Sequence, residues 1–519
     1  MSQTNKFVKG AALLSGAALI TKMLSALYKI PLQNLTGNEG FYVYQQVYPL
    51  YGIASVLALN GFPLYISKLI SESEEEHHGE VIKQTQVWVT LFSISAFLFL
   101  FLLSDQVAQL MGDGQLAPVI RATSAVYLFI PFLSMGRGYF QGLMNMKPTA
   151  LSQVAEQLVR VTLLIVVAVL FSKMNLSVYE MGTWAMRSSW IGALAGTGVV
   201  GLFFIKSRHQ LQRSALPSGT HAYSKIGKRF LTEGLALTFM SSLLLMFQLI
   251  DSFTVYNGLI EGGSPSAQAM VMKGIYDRAQ PFVQVGLVLG VSLATSTLPL
   301  LRNNHKAEQK EAWIKNSVRV LKLTAILSGA ASVGLIAVMP WLNQALFQDR
   351  SGTQALQLYS LSVLILSVIH VMFAIIHSTS SSLFGWGSLL FGLAFKAAFN
   401  TFAVRTVGIV GSSFITVVSL MLIFLLLVRQ LDKAIWYEML DSSFILKYSL
   451  LLSIMGLSVY GILNMSQSVF GTSTRLTASI SIFIGVLVGV TVIITALLKL
   501  DILTKEEWQS LTLIKKIKK

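Results

Sequence analysis

Long apolar runs recur from one end of the 519-residue chain to the other, and they limit its fold more than any other feature. A helix of about 20 apolar residues crosses the roughly 30 Å hydrocarbon core of a bilayer. Because 54% of the residues are hydrophobic and only 12% are charged, the remaining segments cannot form a sizeable soluble domain. The sequence therefore predicts an all-α polytopic membrane protein.

These runs predict about fourteen membrane-spanning helices. We place them near residues 7–30, 41–69, 85–104, 118–145, 149–171, 181–205, 231–256, 273–301, 316–346, 355–384, 388–404, 407–428, 446–464 and 476–499. Lys and Arg concentrate in alternate loops, above all between Lys206 and Arg229, and basic loops stay on the cytoplasmic side. An even number of spans then puts both termini in the cytoplasm.

The formal net charge of +16 is typical of a membrane protein whose cytoplasmic loops face the anionic inner leaflet. No basic motif interleaved with aromatic residues indicates binding to nucleic acid. The chain has no cysteine, which excludes disulfides and thiol chemistry. It also lacks a phosphate-binding loop, a catalytic triad pattern and a metalloprotease motif, so we predict neither an enzyme nor a cofactor or metal site.

The two halves of the chain repeat one pattern. Tyr44–Pro49 reads YQQVYP and Tyr276–Pro281 reads YDRAQP, and each segment runs on to a second proline, Pro63 or Pro299. A charged loop follows each copy. Proline bends a membrane helix, so Pro49 and Pro281 are predicted hinges. Chance similarity among apolar helices is the alternative explanation.

Six spans in each copy mean that both copies insert in the same direction, around a pseudo-two-fold axis along the membrane normal. A cavity is expected between the two six-helix lobes. We predict an N-lobe over residues 1–205, a basic cytoplasmic linker over 206–230, a C-lobe over 231–430, two extra spans over 431–500 and an amphipathic basic helix over 501–519. The last helix is expected to lie on the inner leaflet.

The charges inside the spans are mostly positive. Charge at membrane depth is costly and is usually retained for a function. The cations are Lys22, Lys29, Arg137, Arg278 and Lys396, and the anions are Asp251 and Asp277. A cationic cavity attracts anions, phosphate above all, so we predict that these five cations bind substrate. Alternatively, Lys29 lies among outer headgroups and Arg137 reaches the cytoplasmic interface.

The two carboxylates allow two interpretations. Asp251 and Asp277 either bind a coupling proton or sodium ion, or pair with cations. Sequence neighbours point to different faces of a helix, so Asp251 is the better predicted partner for Arg278. Glu156 and Arg160 are spaced i,i+4 and are predicted to neutralise each other.

Three stretches carry a resemblance to a known family. They are ITKMLSALYKIPLQNLTGNEGFYVYQQVYP, NGFPLYISKLISE and YDRAQPFVQVGLVLGVSLATSTLP. In this order, and with a six-six-two layout of spans, the chain resembles the multidrug/oligosaccharidyl-lipid/polysaccharide (MOP) flippase superfamily. It is most similar to the polysaccharide-transport branch, which contains stage V sporulation protein B-like proteins and the lipid II flippase.

The resemblance implies export of an undecaprenyl-diphosphate-linked oligosaccharide or peptidoglycan precursor across the bacterial cytoplasmic membrane. It implies that basic residues of the first and eighth spans contact the diphosphate, and Lys22 and Arg278 match these positions. The family's second basic position in the first span falls at Tyr28, beside Lys29. A basic position of the second span falls near Gly52, which cannot replace it. The resemblance also implies that the last two spans border a groove for the lipid tail.

The function predicted in this way is a flippase for a lipid-linked anionic glycan that works by alternating access, with a monomer as one option for its oligomeric state. A cation-coupled multidrug exporter of the same superfamily is an alternative, and it would use Asp251 and Asp277. A non-transporting scaffold for envelope synthesis is another alternative, which would not need the buried charges.

Overall fold

The computed structural model describes residues 3–74, 77–211, 220–288, 301, 309–379, 382–470 and 474–500. The structure is 91% helical, and no strand occurs in these ranges. The predicted all-α polytopic membrane fold is therefore confirmed. The predicted surface helix over 501–519 lies outside the described residues, as does much of the eighth predicted span.

The chain divides into two compact units, Met1–Asp277 and Arg278–Lys519. The helices of unit 1 are α1 (Gln3–Leu27), α2 (Lys29–Val56), α3 (Phe62–Glu72), α4 (His78–Leu102), α5 (Ser104–Leu110), α6 (Ala117–Ser124), α7 (Ile130–Gly142), α8 (Lys147–Met174), α9 (Val178–Leu211), α10 (Thr220–Arg229), α11 (Leu235–Ser241), α12 (Leu243–Glu261) and α13 (Ser266–Tyr276). The helices of unit 2 are α14 (Lys310–Phe347), α15 (Thr353–Ser360), α16 (Ser362–Ser378), α17 (Ser382–Val407), α18 (Ile409–Val428), α19 (Lys433–Met439), α20 (Ser442–Phe470) and α21 (Arg475–Lys499). The predicted six-six-two division into lobes remains a prediction.

Twelve helical segments among the described residues are long and apolar enough to cross a membrane. The first of them, Gly16–Glu72, has 57 residues, which is enough for two crossings. Its backbone leaves the helical conformation at Gly37, with φ 72° and ψ −177°, a conformation that glycine adopts readily and residues with a side chain rarely do. The first two spans are therefore joined by a very short turn, and the observed number is close to the predicted fourteen.

Two π-helical turns interrupt the helices of unit 1. We call Leu57–Gly61 π-turn A and Phe230–Gly234 π-turn B. π-Turn A packs against α11, and the ring of Phe230 in π-turn B lies 5.0 Å from the ring of Phe62 at the start of α3. Such turns are rare and often mark functional sites. At Gly61 an added Cβ would overlap Oγ1 of Thr238, which explains why this position is glycine.

The predicted hinge prolines lie in different backbone settings. The helix continues through Pro49, which is buried inside α2. Pro281 follows a turn at residues 277–278, and residues 279–288 are helical again. Proline suits the first turn of a helix because its missing N–H has no partner to lose there. Their role as hinges remains a prediction.

The described part of the predicted basic linker packs on unit 1. Arg229, at the end of α10, pairs with Glu72 of α3 at 3.0 Å and with Glu233 of π-turn B at 3.1 Å. Lys68 of α3 donates to Glu233 at 2.7 Å. These ion pairs, together with the packing of α12 and α13 on α2, place the segment from Thr220 to Asp277 in unit 1.

Candidate functional site

Charged side chains are buried at several levels of unit 1. Lys29, Arg137, Arg160, Lys273, Asp251 and Asp277 are each at most 1% exposed. A buried charge is tolerated only where other groups compensate for its lost hydration. The partners of each side chain therefore indicate what it can do.

Arg137 of α7 forms a buried ion pair with Glu156 of α8, with Nη2 2.6 Å from Oε2. Its Nε donates to Oγ of Ser152 at 3.0 Å, and its Nη1 donates to the carbonyl oxygen of Ala58 in π-turn A at 3.1 Å. The predicted pairing of Glu156 with Arg160 is therefore wrong, because the contact between α7 and α8 brings a better-placed cation. Arg137, a predicted substrate ligand, is engaged inside its own unit in this structure.

Arg160 of α8 lies in a cage of tyrosines. Its guanidinium carbon is 4.9 Å from the ring centre of Tyr28 and 4.6 Å from that of Tyr51. Nη1 donates to the hydroxyl of Tyr44 at 3.1 Å, and Nε donates to Oε1 of Gln157 at 3.3 Å. In the part of the chain that the structure describes, no carboxylate forms an ion pair with Arg160. Its charge is compensated by aromatic faces and neutral acceptors.

Sequence reasoning missed this cage, although a signal for it was present. Tyr44, Tyr48 and Tyr51 follow the i, i+4, i+7 spacing, which places their side chains on one face of a helix. All three are buried, and Tyr44 also shares a 2.7 Å hydrogen bond with Tyr28. A tyrosine stripe inside an apolar span predicts a polar or cationic partner on the neighbouring helix.

Lys29, the first residue of α2, is 1% exposed. Its Nζ lies 4.1 Å from the ring centre of Tyr48 and has no hydrogen-bond partner among the residues that the structure describes. The negative charge of Asp277 attracts this ammonium, and the positive charge of Arg160 repels it. Burial in protein excludes, for this structure, the alternative that Lys29 lies among headgroups.

The two acidic residues of the prediction lie in this same region. Both carboxylate oxygens of Asp277 accept from Nζ of Lys273 at 2.7 Å, and Asp251 accepts from the hydroxyl of Tyr276 at 3.1 Å. The charges of Asp251 and Lys29 act on Asp277. The i,i+4 spacing of Lys273 and Asp277 was a signal for this pair that sequence reasoning missed.

Lys22 of α1 is exposed. The face beside it packs on α8, where Thr21 accepts from Gln153 at 2.8 Å and Ser25 accepts from Gln157 at 2.7 Å. Lys22 and Lys29 were both predicted to bind substrate. They do not share one environment, because Lys29 is 1% exposed whereas Lys22 is exposed.

Arg278 belongs to unit 2. Its Nη1 and Nη2 donate to the two carboxylate oxygens of Asp349 at 2.7 and 2.9 Å, and Nη1 also donates to Asn343 at 3.0 Å. Sequence reasoning favoured Asp251 as the partner, because no local pattern connects Arg278 with a residue 71 positions away. Burial tends to raise the pKa of Asp349, but the bonds from Arg278 and from the backbone N–H of Ser351 outweigh it, so this pKa lies below its usual range.

Lys396 of α17 is fully buried, and its Nζ donates to Oγ1 of Thr416 in α18 at 2.8 Å. Asn400, one turn further along α17, is also fully buried. The structure therefore brings Lys29, Asp251 and Asp277 together in unit 1 and places Lys396 among helices of unit 2. Within the described ranges, no group of three or more acidic or histidine side chains could hold a metal ion.

The fold and these charges define a class, a multi-pass membrane transporter with ionisable side chains at bilayer depth. Residues 7–305 match the family model described as polysaccharide biosynthesis protein. The chain is 34% identical to the uncharacterized membrane protein YabM of Bacillus subtilis (strain 168), over 98% of this chain and 96% of that protein. The chain therefore belongs to the polysaccharide biosynthesis protein family.

Two further similarities concern the lipid II flippase. The chain is 23% identical to the lipid II flippase MurJ of Bacillus subtilis (strain 168), over 76% of this chain and 77% of that protein. A solved structure of lipid II flippase MurJ, in an inward closed conformation, shares the fold with a TM-score of 0.68 at 14% identity, over 93% of this chain and 98% of that one. The predicted resemblance to polysaccharide-transport proteins and to the lipid II flippase is thus confirmed. The chain is a multi-pass membrane transporter whose similar proteins include a flippase.

Proposed function

We propose that the protein is a flippase that moves a lipid-linked anionic glycan, carried on undecaprenyl diphosphate, across the cytoplasmic membrane by alternating access. The observation that carries this proposal is the exposure of Lys22 within the first apolar span. The similarity to the lipid II flippase supports the same substrate class.

The position of Lys22 follows from its place in the chain. At about 1.5 Å per residue, it lies about 20 Å along the first span from Lys9 and about 22 Å from the turn at Gly37. An ammonium in hydrocarbon at that depth costs about 2.5–3.5 kcal/mol on insertion scales. An exposed lysine there is therefore better explained by a water-filled cavity, where it attracts the phosphates of a substrate.

The other predicted substrate ligands are buried or bonded to other residues in this structure. Arg137 and Arg278 are held in ion pairs, Lys29 is covered by neighbouring helices, and Lys396 bonds to a threonine. In the proposed cycle they reach the substrate only after a rearrangement, whereas Lys22 is accessible without one. We further propose that both termini face the cytoplasm and that a monomer is sufficient.

The test uses the full-length protein in proteoliposomes with an undecaprenyl-diphosphate-linked disaccharide that carries a fluorophore on the sugar. A membrane-impermeant quencher reports which leaflet holds the fluorophore. Lys22→Ala should lower the initial rate at least about tenfold, because a charge-assisted contact of about 1.5–3 kcal/mol is lost. Lys22→Arg should keep most of the rate.

Lys83→Ala is the matched control, because Lys83 is also exposed but lies near the start of α4. Its rate should equal that of the wild type. Wild-type rates for Lys22→Ala in correctly inserted protein would overturn the proposal. The exporter alternative is less well supported, because Asp277 is already neutralised by Lys273 and Asp251 accepts from Tyr276.

A further inference from the structure

The buried ammonium of Lys29 stands out because the structure gives it neither a hydrogen bond nor a contact ion pair among the described residues. A lysine ammonium has three N–H groups, and each loses its bond to water on burial. The ring of Tyr48 covers one side of it. A cation–π contact of this kind offsets about 2 kcal/mol when desolvated, less than a buried unpaired charge costs.

The charged neighbours of Lys29 come from three other helices and do not neutralise it. Arg160 of α8 adds a second positive charge, which also has aromatic rather than acidic partners. Asp277 attracts Lys29, but both carboxylate oxygens of Asp277 already accept hydrogen bonds from Lys273 of α13. The negative charge of Asp251 in α12 repels that of Asp277, and Asp251 accepts a hydrogen bond from the hydroxyl of Tyr276. With all groups ionised, the cluster holds three cations and two anions.

Only some members of this cluster can change their charge. The guanidinium of Arg160 cannot release a proton in a protein, and Lys273 is held by a direct ion pair. A lysine without such a partner can give its proton to water and become a neutral amine, as buried catalytic lysines do. We propose that Lys29 is a proton-binding site, occupied when α13 is away from α2 and empty when the two helices are packed together.

α13 packs against α2, and it holds the charges of Lys273 and Asp277 near Lys29. The two backbones approach so closely that a Cβ at Gly274 would overlap the carbonyl group of Asn38. When the helices separate, water reaches the amine and protonates it, and when they pack, the proton leaves to water. One proton is therefore exchanged in each cycle. This function goes beyond the proposed substrate, because a flippase and a drug exporter could both use it.

The absence of cysteine in the chain makes the proposal testable by distance measurement. Glu39→Cys and Gln268→Cys place spin labels on two exposed positions beside the α2–α13 contact. Pulsed electron paramagnetic resonance then gives the distance distribution of the labelled protein in lipid nanodiscs. The labels are attached before the pH is varied, so thiol reactivity does not affect the result.

In protein with wild-type Lys29, the short-distance fraction should rise with pH, by up to about tenfold in the ratio of packed to separated states per pH unit. Lys29→Met should give the packed distance at every pH, and Lys29→Arg should favour the separated distance at every pH. Lys83→Met should behave as the wild type. An invariant distance in the wild type, or a pH response in either Lys29 variant, would overturn the proposal.

Discussion

The ion pair between Arg137 and Glu156 allows a quantitative prediction. Both side chains are nearly inaccessible, at 1% and 10% exposure, and their atoms approach to 2.6 Å. The remaining donors of Arg137 bond to Ser152 and to the carbonyl group of Ala58 in π-turn A. The pair therefore links three helical segments, and its removal should affect all of them.

The expected cost depends on whether one charge or both are removed. Glu156→Ala leaves the guanidinium of Arg137 buried without an anion, which should lower the free energy of unfolding by about 3–5 kcal/mol. Arg137→Met leaves the carboxylate of Glu156 buried without a cation and should lower the free energy of unfolding by a similar amount. The double variant Arg137→Met/Glu156→Leu removes both buried charges and leaves only the carbonyl of Ala58 and the hydroxyl of Ser152 without the donors that Arg137 supplied, so it should cost about 1–3 kcal/mol.

Equilibrium unfolding in mixed micelles measures these free energies. The matched control is the pair between Arg121 and Asp105, whose side chains are 43% and 57% exposed. Asp105→Ala should cost less than about 1 kcal/mol, because water screens an exposed pair. A cost for Glu156→Ala no larger than that of this control, or a double variant less stable than both single variants, would contradict this expectation.

Three further predictions concern other parts of the chain. Gly61→Ala should lower the free energy of unfolding by about 1–3 kcal/mol through its clash with Thr238, and adding Thr238→Gly should recover most of the loss in the same assay. Because the pKa of Asp349 is lowered, its pairing with Arg278 stabilises the protein above about pH 4 and is lost as pH falls through the lowered pKa; Asp349→Asn should remove this acid step from unfolding measured against pH. Arg160→Lys should cost about 1–2 kcal/mol in thermal or chemical unfolding although the charge is kept, because an ammonium cannot stack flat between tyrosine rings.

The sequence was sufficient to predict the membrane fold and the polysaccharide-transport family. Apolar run length depends only on the bilayer, and the buried cations could be recognised because charge is rare in such runs. The partners of those cations depend on which helices touch. Glu156 was assigned to Arg160 from spacing within one helix, whereas contact with α7 supplies Arg137.

Long-range partners were the hardest to predict. Asp349 follows the end of α14 and no local pattern connects it with Arg278. In contrast, the i,i+4 spacing of Lys273 and Asp277 and the tyrosine stripe of α2 were readable in the sequence. Both patterns indicate how the buried charges are compensated, and a search for charged residues alone does not detect them.

The two π-helical turns also restrict how the chain can vary in length. A π-turn contains one residue more than an α-helical turn, so deleting that residue rotates the following segment by about 100° and shortens it by about 1.5 Å. π-Turn A packs against α11, and the ring of Phe230 in π-turn B packs against that of Phe62 in α3. A deletion in one turn would therefore disrupt the packing between these segments. A matching deletion in the other turn could restore that packing. In relatives of different length, the two segments should gain or lose residues as a pair.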